Sequence, residues 1–289
     1  MTVRVIRNKW SGIVNVEDMV EAICALHISS YVTSPYRDRG GLMLIGPAGV
    51  LKTTLLDVLD NNYSNALAVS NSYMSTMQKL LPAFYNGQVR SLCFPDLQSI
   101  YAGDPRTSGR IEQMMMQLSG EATRTIGGNE DSRYAKFKGY CTMFAAMTPS
   151  FYTSHINKWE ESGYSRRFLW STYTFEDPDI LMRAIAQWTK ADLGIDRVPQ
   201  CPIGGSIQDV LKQPQREEIM TWLRHQPQPH EIQFQIMCKA TSALAWHYKR
   251  HGVNKVAMDT MRKFSETLQH DAALLRLPDQ IYDRRNGKQ

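Results

Sequence analysis

Apolar and polar positions follow one rhythm along the first two thirds of the chain and another after residue 176. Residues 1–9 read as a short basic strand, and Trp10-Ser11-Gly12-Ile13-Val14 as a turn. From Val16 to Val32, Met19, Val20, Ile23 and Leu26 recur at helical spacing, which predicts an amphipathic helix. Leu42-Met43-Leu44-Ile45 is an apolar run of strand length. Further strands are predicted at Ala66–Val69, Val89–Phe94, Tyr140–Met147 and Arg167–Phe175. Helical patterns separate them, beginning at Leu55–Leu59 and recurring at Tyr73–Phe84, Ser108–Glu121 and Tyr152–Glu161. Continuous apolar strands alternating with helices predict an α/β fold: a parallel five-stranded sheet with helices on both faces.

After Glu176 the strand signals stop and Pro and Gln become frequent, as in Gln226-Pro227-Gln228-Pro229. Helical patterns persist at Leu181–Trp188, Arg216–Leu223, Phe234–Arg250 and Val256–Leu275. The expected organisation is an α/β domain over residues 1–178 and a helical C-terminal portion over 179–289, with a frayed charged end from Asp283 to Gln289. No internal repeat interrupts this order.

Between the first core strand and its helix lies Gly46-Pro47-Ala48-Gly49-Val50-Leu51-Lys52-Thr53-Thr54. Strand, Gly-rich turn, Lys-Thr and helix is the order that a phosphate-binding loop requires. N–H groups at the open end of a helix have no internal partner and point at any anion held there. Lys52 would add charge at the β/γ end of the phosphates, and the Thr53 hydroxyl could ligate Mg²⁺. Leu51 stands where the pattern G-x-x-x-x-G-K-[ST] has its last glycine, a position that favours a residue without Cβ. The plainer alternative is an ordinary strand-to-helix turn that contains Gly, Lys and Thr.

A Mg²⁺-dependent site needs an acid at the end of a neighbouring strand, and Asp96 after Leu92-Cys93-Phe94-Pro95 stands in that place. Pro-Asp is also a common turn opener. Leu97 and Gln98 occupy the positions just after it, so Glu121 is the best candidate base, unless it is simply a solvated helix-end carboxylate. Thr148, closing the fourth strand, offers a hydroxyl for a γ-phosphate or an attacking water, although Thr-Pro also ends strands. Arg166 and Arg167 are either a solvated surface pair or guanidinium groups that reach a neighbouring subunit's nucleotide, where one such group is worth about 10³–10⁵ in rate.

Taken together, these segments resemble the AAA+ class of P-loop ATPases over about residues 8–180. Trp10 to Glu17 is similar to the N-terminal box, which makes Ile13 and Val14 the apolar pair lining the adenine pocket. Gly46 to Thr53 resembles Walker A, and Leu92 to Asp96 resembles Walker B. Thr148 is similar to sensor 1, and Gly163 to Arg167 looks like the arginine-finger segment. The resemblance implies ATP and Mg²⁺ as ligands, a homo-oligomeric ring or filament, and a helical lid after the core. Leu51 and the missing acid after Asp96 are the departures from the pattern, and they bear on hydrolysis more than on nucleotide binding.

Ala122 to Gly139 has the pattern of a hairpin, with Arg124, Arg133, Lys136 and Lys138 interleaved with Tyr134 and Phe137 around Gly127-Gly128-Asn129. Its position before the fourth strand is similar to that of hairpins with which AAA+ motors contact nucleic acid. Basic groups would follow phosphates and aromatic rings would stack on bases. Against this, Glu130 and Asp131 offset part of the charge. The leading expectation is therefore an oligomeric ATPase acting on nucleic acid. The alternatives are a nucleotide-gated assembly protein with little turnover, or a protein-remodelling ATPase.

Composition narrows this little. A net charge of +5 permits nucleic-acid contact without requiring it. The five cysteines are widely spaced with no C-x-x-C pair, and the seven histidines show no metal-ligand spacing. Reduced cysteines, no apolar run of membrane-spanning length and no apolar leader at the N-terminus lead to the expectation of an intracellular, cytoplasmic protein without a membrane partner.

Overall fold

The computed structural model describes residues 2–6, 11–33, 40–69, 83, 87–102, 108–109, 112, 115–116, 119, 141–172, 174–175, 199–202, 205–224, 231–249 and 254–268. At its centre is a five-stranded sheet with every strand parallel. Its strands are β4 (Gly41–Ile45), β5 (Ala66–Ala68), β6 (Ser91–Phe94), β7 (Thr142–Met147) and β8 (Leu169–Thr172), in the spatial order β5-β6-β7-β4-β8. Every residue of β4, β6 and β7 is buried, because both faces of the sheet are covered. That double covering is why these strands read as unbroken apolar runs.

Alternation along β4 divides the interior in two. Leu42 and Leu44 join a core with Met19, Ile23, Leu56, Leu59, Phe144 and Met237. Met43 and Ile45 face a second core with Phe94, Met147, Trp159, Tyr164 and Trp170. Helix α1 (Val16–Ile28) and helix α2 (Lys52–Asn62) belong to the first side. Short helix α3 (Leu97–Tyr101) and helix α4 (Pro149–Glu161) belong to the second. Pro149 starts α4 three residues before the expected helix because proline suits the first turn, where its missing N–H costs nothing. In the predicted helix 108–121, the described residues Ser108, Glu112, Met115 and Ser119 are helical and buried, three or four apart on one face. Glu112 ties this stretch to α4, accepting from Trp159 Nε1 at 2.9 Å and from Lys158 Nζ at 2.9 Å.

Three C-terminal helices, α5 (Gln213–Leu223), α6 (Glu231–Lys249) and α7 (Asn254–Ser265), close the first side. Helix α6 lies along both α1 and α7, and Ile236, Met237, Ala240 and Leu244 enter the same core as Met19 and Ile23. Lys263 on α7 pairs with Asp18 on α1 at 3.2 Å, and the Thr260 hydroxyl donates to Glu21 at 3.1 Å. The expected boundary at 178/179 and the helix at 181–188 lie outside the described residues, as does the helix at 73–84 apart from Ala83, which is helical.

Three expectations change. Ser11–Asn15, expected as a turn up to Val14, is strand β2, antiparallel to β1 (Thr2–Ile6); pairing with β1 gives its backbone groups partners. The expected fifth strand divides: β8 stays in the parallel sheet, while β9 (Thr174–Phe175) pairs with β1. The C-terminal portion is not free of strands, since β10 (Ile207–Gln208) pairs in parallel with β3 (Val32–Thr33).

Candidate phosphate-binding site

The carboxyl ends of β6, β7 and β4 lie side by side, carrying Asp96, Thr148 and the Gly46–Thr54 turn respectively. Gly46 N–H donates to Met147 O at 3.2 Å, which fastens the turn to the end of β7 beside Thr148. With strands about 4.8 Å apart, Asp96 stands about 10 Å from the root of the turn. α2 bridges that gap, since Thr53 Oγ1 donates to Pro95 O at 3.5 Å. The two groups expected to share Mg²⁺, the Thr53 hydroxyl and the Asp96 carboxylate, therefore come from neighbouring segments.

Within the turn, Gly46, Pro47 and Val50 are buried, whereas Ala48 and Gly49 are exposed. Gly49 has φ 82°, a left-handed conformation that a Cβ would oppose. Leu51 has φ 64° and ψ 20°, the one left-handed non-glycine among the described residues. It is the N-cap of α2, and its side chain packs against the first core. Packing against the first core thus accounts for the half-buried isobutyl group.

The first helical bond of α2 runs from Leu55 N–H to Leu51 O at 2.9 Å, and no side chain caps the helix. The N–H groups of Lys52, Thr53 and Thr54 precede that bond, so they have no acceptor within the helix. Lys52 Nζ turns back to donate to Gly46 O at 2.7 Å and to Pro47 O at 2.6 Å. Its ammonium therefore sits in the curl of the turn, beside the positive end of the helix dipole. Backbone donors at a helix start, a helix dipole and an ammonium fit a polyphosphate. One hydroxyl and one carboxylate fit Mg²⁺, which takes few protein ligands and keeps waters and phosphate oxygens for the rest.

Asp96 is exposed and caps α3, its Oδ1 accepting from Gln98 N–H at 3.2 Å. Asp96 thus opens a helix, and one oxygen serving the cap leaves the other for a cation. The position after it is a core residue, Leu97, and supplies no base. Thr148 precedes α4 as its N-cap, but its side chain does not cap; Oγ1 lies 3.4 Å from the hydroxyl of Ser150, a residue outside the expected site set.

Arg166 and Arg167 form a 3₁₀ turn (Ser165–Arg167) before β8, at the amino end of the sheet. By the pairing of β8 with β4, they lie level with the start of β4, about 20 Å from the phosphate turn at its other end. They do not join the turn of their own chain. Arg166 is exposed and lies over Gly163, which has φ 72° and whose added Cβ would meet Nε at 3.0 Å. Arg167 is half-buried, and its Nε has no hydrogen-bond partner.

Ile13 and Val14 sit on β2, paired with Arg4 and Val3. Because β1 also pairs with β9, two residues past β8, this hairpin hangs at the same end of the sheet as the phosphate turn. Glu121 and the basic residues Arg124, Arg133, Lys136 and Lys138 lie outside the described residues. Among the described residues no helix is long and apolar enough to cross a membrane.

Fold and site define an α/β protein in which a parallel sheet presents the Gly46–Thr54 turn and the start of α2 at its carboxyl edge. The sequence matches no protein-family model and no curated protein.

Proposed function

We propose that the chain binds ATP at the Gly46–Thr54 turn and works as an oligomeric, AAA+-type ATPase on nucleic acid. The observation that carries this reading is the uncapped start of α2 with Lys52 folded into the turn. In this reading the N–H groups of Lys52, Thr53 and Thr54 grip phosphate oxygens, and the Lys52 ammonium exchanges its two carbonyl acceptors for the β/γ end. Thr53 and Asp96 would hold Mg²⁺, which supplies charge neutralisation at the phosphates. Thr148 would orient a water or the γ-phosphate, and Ile13 and Val14 would border the base. The distance of Arg166 and Arg167 from their own turn supports a role on a neighbouring subunit's nucleotide, hence a homo-oligomer. The nucleic-acid part rests on the basic pattern of Arg124, Arg133, Lys136 and Lys138.

A second reading has its own support: Leu97 is buried in the core and Asp96 serves as a helix cap. With no base beside Asp96, ATP could act as a subunit glue that turns over slowly. Mass measurement of the protein with and without ATP-Mg²⁺, with a DNA-containing sample in parallel, distinguishes the two. Assembly with ATP, DNA-stimulated hydrolysis and loss of both in Lys52→Ala are the outcomes expected of the motor. Assembly with negligible hydrolysis selects the glue, and absence of nucleotide binding removes both.

A further inference from the structure

Where α6 packs against the 3₁₀ turn Ser165–Arg167, two polar atoms of opposite kind are sealed from solvent. Arg167 Nε–H is a donor without a partner, and Gln233 Oε1 is an acceptor without one. Gln233 is 3 % exposed, and its Nε2 donates to Phe168 O at 3.1 Å, one residue past Arg167. That bond fixes the amide, because turning it over would set Oε1 against the Phe168 carbonyl. Buried donors and acceptors left unmade cost free energy, and native interiors keep few of them. The two atoms are therefore poised to pair through a short shift of the turn along α6.

The two arginines of the turn differ. Arg166 is exposed and lies over Gly163, close enough for an added Cβ to meet its Nε at 3.0 Å and its Cζ at 3.2 Å. Arg167 is half-buried, and of its three guanidinium nitrogens only Nε is both sealed and unpartnered. A guanidinium is a flat fork of donors. One hydrogen bond at Nε sets its plane and leaves both Nη groups for a two-point grip on phosphate. Without that bond the fork can turn about its stem.

We propose that Gln233 is the positioning residue of Arg167: its Oε1 accepts from Arg167 Nε and holds the guanidinium plane for the neighbouring subunit's nucleotide. This rests on the reading that the arginine turn serves that nucleotide, and it gives the phosphate grip to Arg167 and not to Arg166. Gln233 itself touches no nucleotide and acts only through the fork. Relief of two unmade hydrogen bonds favours the paired state, and pairing draws the turn onto α6. Helix α6 is thereby the element that decides whether a subunit presents Arg167 to its neighbour.

Assembly of the full chain with ATP-Mg²⁺ is followed by mass measurement over a series of protein concentrations, and ATP affinity by titration below the assembly range. Gln233→Met keeps the volume but has neither amide group. It should raise the half-assembly concentration about tenfold, the loss of one hydrogen bond to a charged group, while the lone subunit's ATP affinity stays within about twofold of the parent. Gln233→Glu keeps an acceptor for Nε but loses the donor to Phe168 O, so it should be less stable in urea yet assemble like the parent. In an Arg167→Lys background, which has no Nε fork, Gln233→Met should still lower stability but leave assembly where Arg167→Lys alone puts it. A further tenfold change in that background, unaltered assembly in Gln233→Met, or tenfold weaker assembly in Gln233→Glu overturns the proposal. Should Gln233→Met fail to fold, the Gln233→Glu result decides alone. A parent that binds no ATP, or binds it without assembling, removes the reading beneath; a parent that assembles with ATP while the Gln233 variants match it removes only the role of Gln233.

Discussion

Leu51 concentrates the tension between sequence pattern and fold, and replacing it separates two effects. At φ 64° a residue with a Cβ carries a cost of about 1–2 kcal/mol relative to glycine. The leucine recovers part of this by packing on the first core, worth about 1 kcal/mol for a half-buried side chain. Leu51→Ala gives up the packing but keeps the strain, so it should lose about 1 kcal/mol. Leu51→Gly gives up the packing and about 0.5–1 kcal/mol of chain entropy but removes the strain, so it should stay close to the parent. The expected order places Leu51→Gly above Leu51→Ala, the reverse of their order in a helix interior. Urea denaturation measures it, and an alanine variant at least as stable as the glycine variant refutes the left-handed assignment. Because the isobutyl group packs on the first core, ATP affinity in Leu51→Gly should stay within about twofold of the parent, well inside the 1.4 kcal/mol that marks a tenfold change. A gain of tenfold or more by titration would mean that the leucine obstructs the phosphates.

Asp96→Asn retains a good helix cap, so stability should hold while Mg²⁺-dependent turnover falls; Asp96→Ala should also lose about 1 kcal/mol in denaturation. Full turnover in the asparagine variant would remove Asp96 from the metal site. For His27 the folded pKa is lowered from 6.5 to about 3, so below pH 6.5 the unfolded chain binds the extra proton. Its contribution is fully present above pH 6.5 and is lost as pH falls toward 3, at about 1.4 kcal/mol per pH unit. Between pH 6.5 and 5 the parent should therefore lose about 2 kcal/mol more than His27→Phe in parallel urea titrations, and equal slopes would contradict a neutral buried imidazole. Gly40→Ala would place a Cβ 2.0 Å from Ile236 Cδ1 at φ 56°, an expected loss of about 3 kcal/mol. Adding Ile236→Ala removes that collision, so the double-mutant cycle should show coupling of about 1–3 kcal/mol; additive losses would deny the contact.

How much of this was legible depended on whether each feature is local. The core strands could be read because burial on both faces leaves an unbroken apolar run, as at Thr142–Met147. The phosphate turn could be read because strand, turn and helix are consecutive. Leu51 in a left-handed conformation could not, since tertiary packing overrides the usual preference of a leucine. Non-local pairings were equally hidden: β3 finds β10 across 174 or more residues, and β9 leaves the fifth strand only because β1 lies beside it. His27, Ser91 and Cys201 meet across separations of 64 and 174 residues, which no search for ligand spacing would detect. The position of Arg166 and Arg167 relative to the phosphate turn became clear only with the strand order.

That strand order also links the two ends of β4. Ile236 on α6 presses on Gly40 at its start, and Gln233 Nε2 on the same helix donates to Phe168 O at 3.1 Å, next to Arg167. The phosphate turn closes the other end of the same five-residue strand. A strand buried on both faces and bonded on both sides does not bend easily, and packed interiors transmit displacement. Any shift of α6 must therefore move the start of β4 and the arginine turn together. In the proposed assembly, one helix of the C-terminal portion would thus bear on the chain's own nucleotide through β4 and on the neighbour's through Arg166 and Arg167. That is a physical route by which neighbouring sites could be coupled without direct contact between their nucleotides.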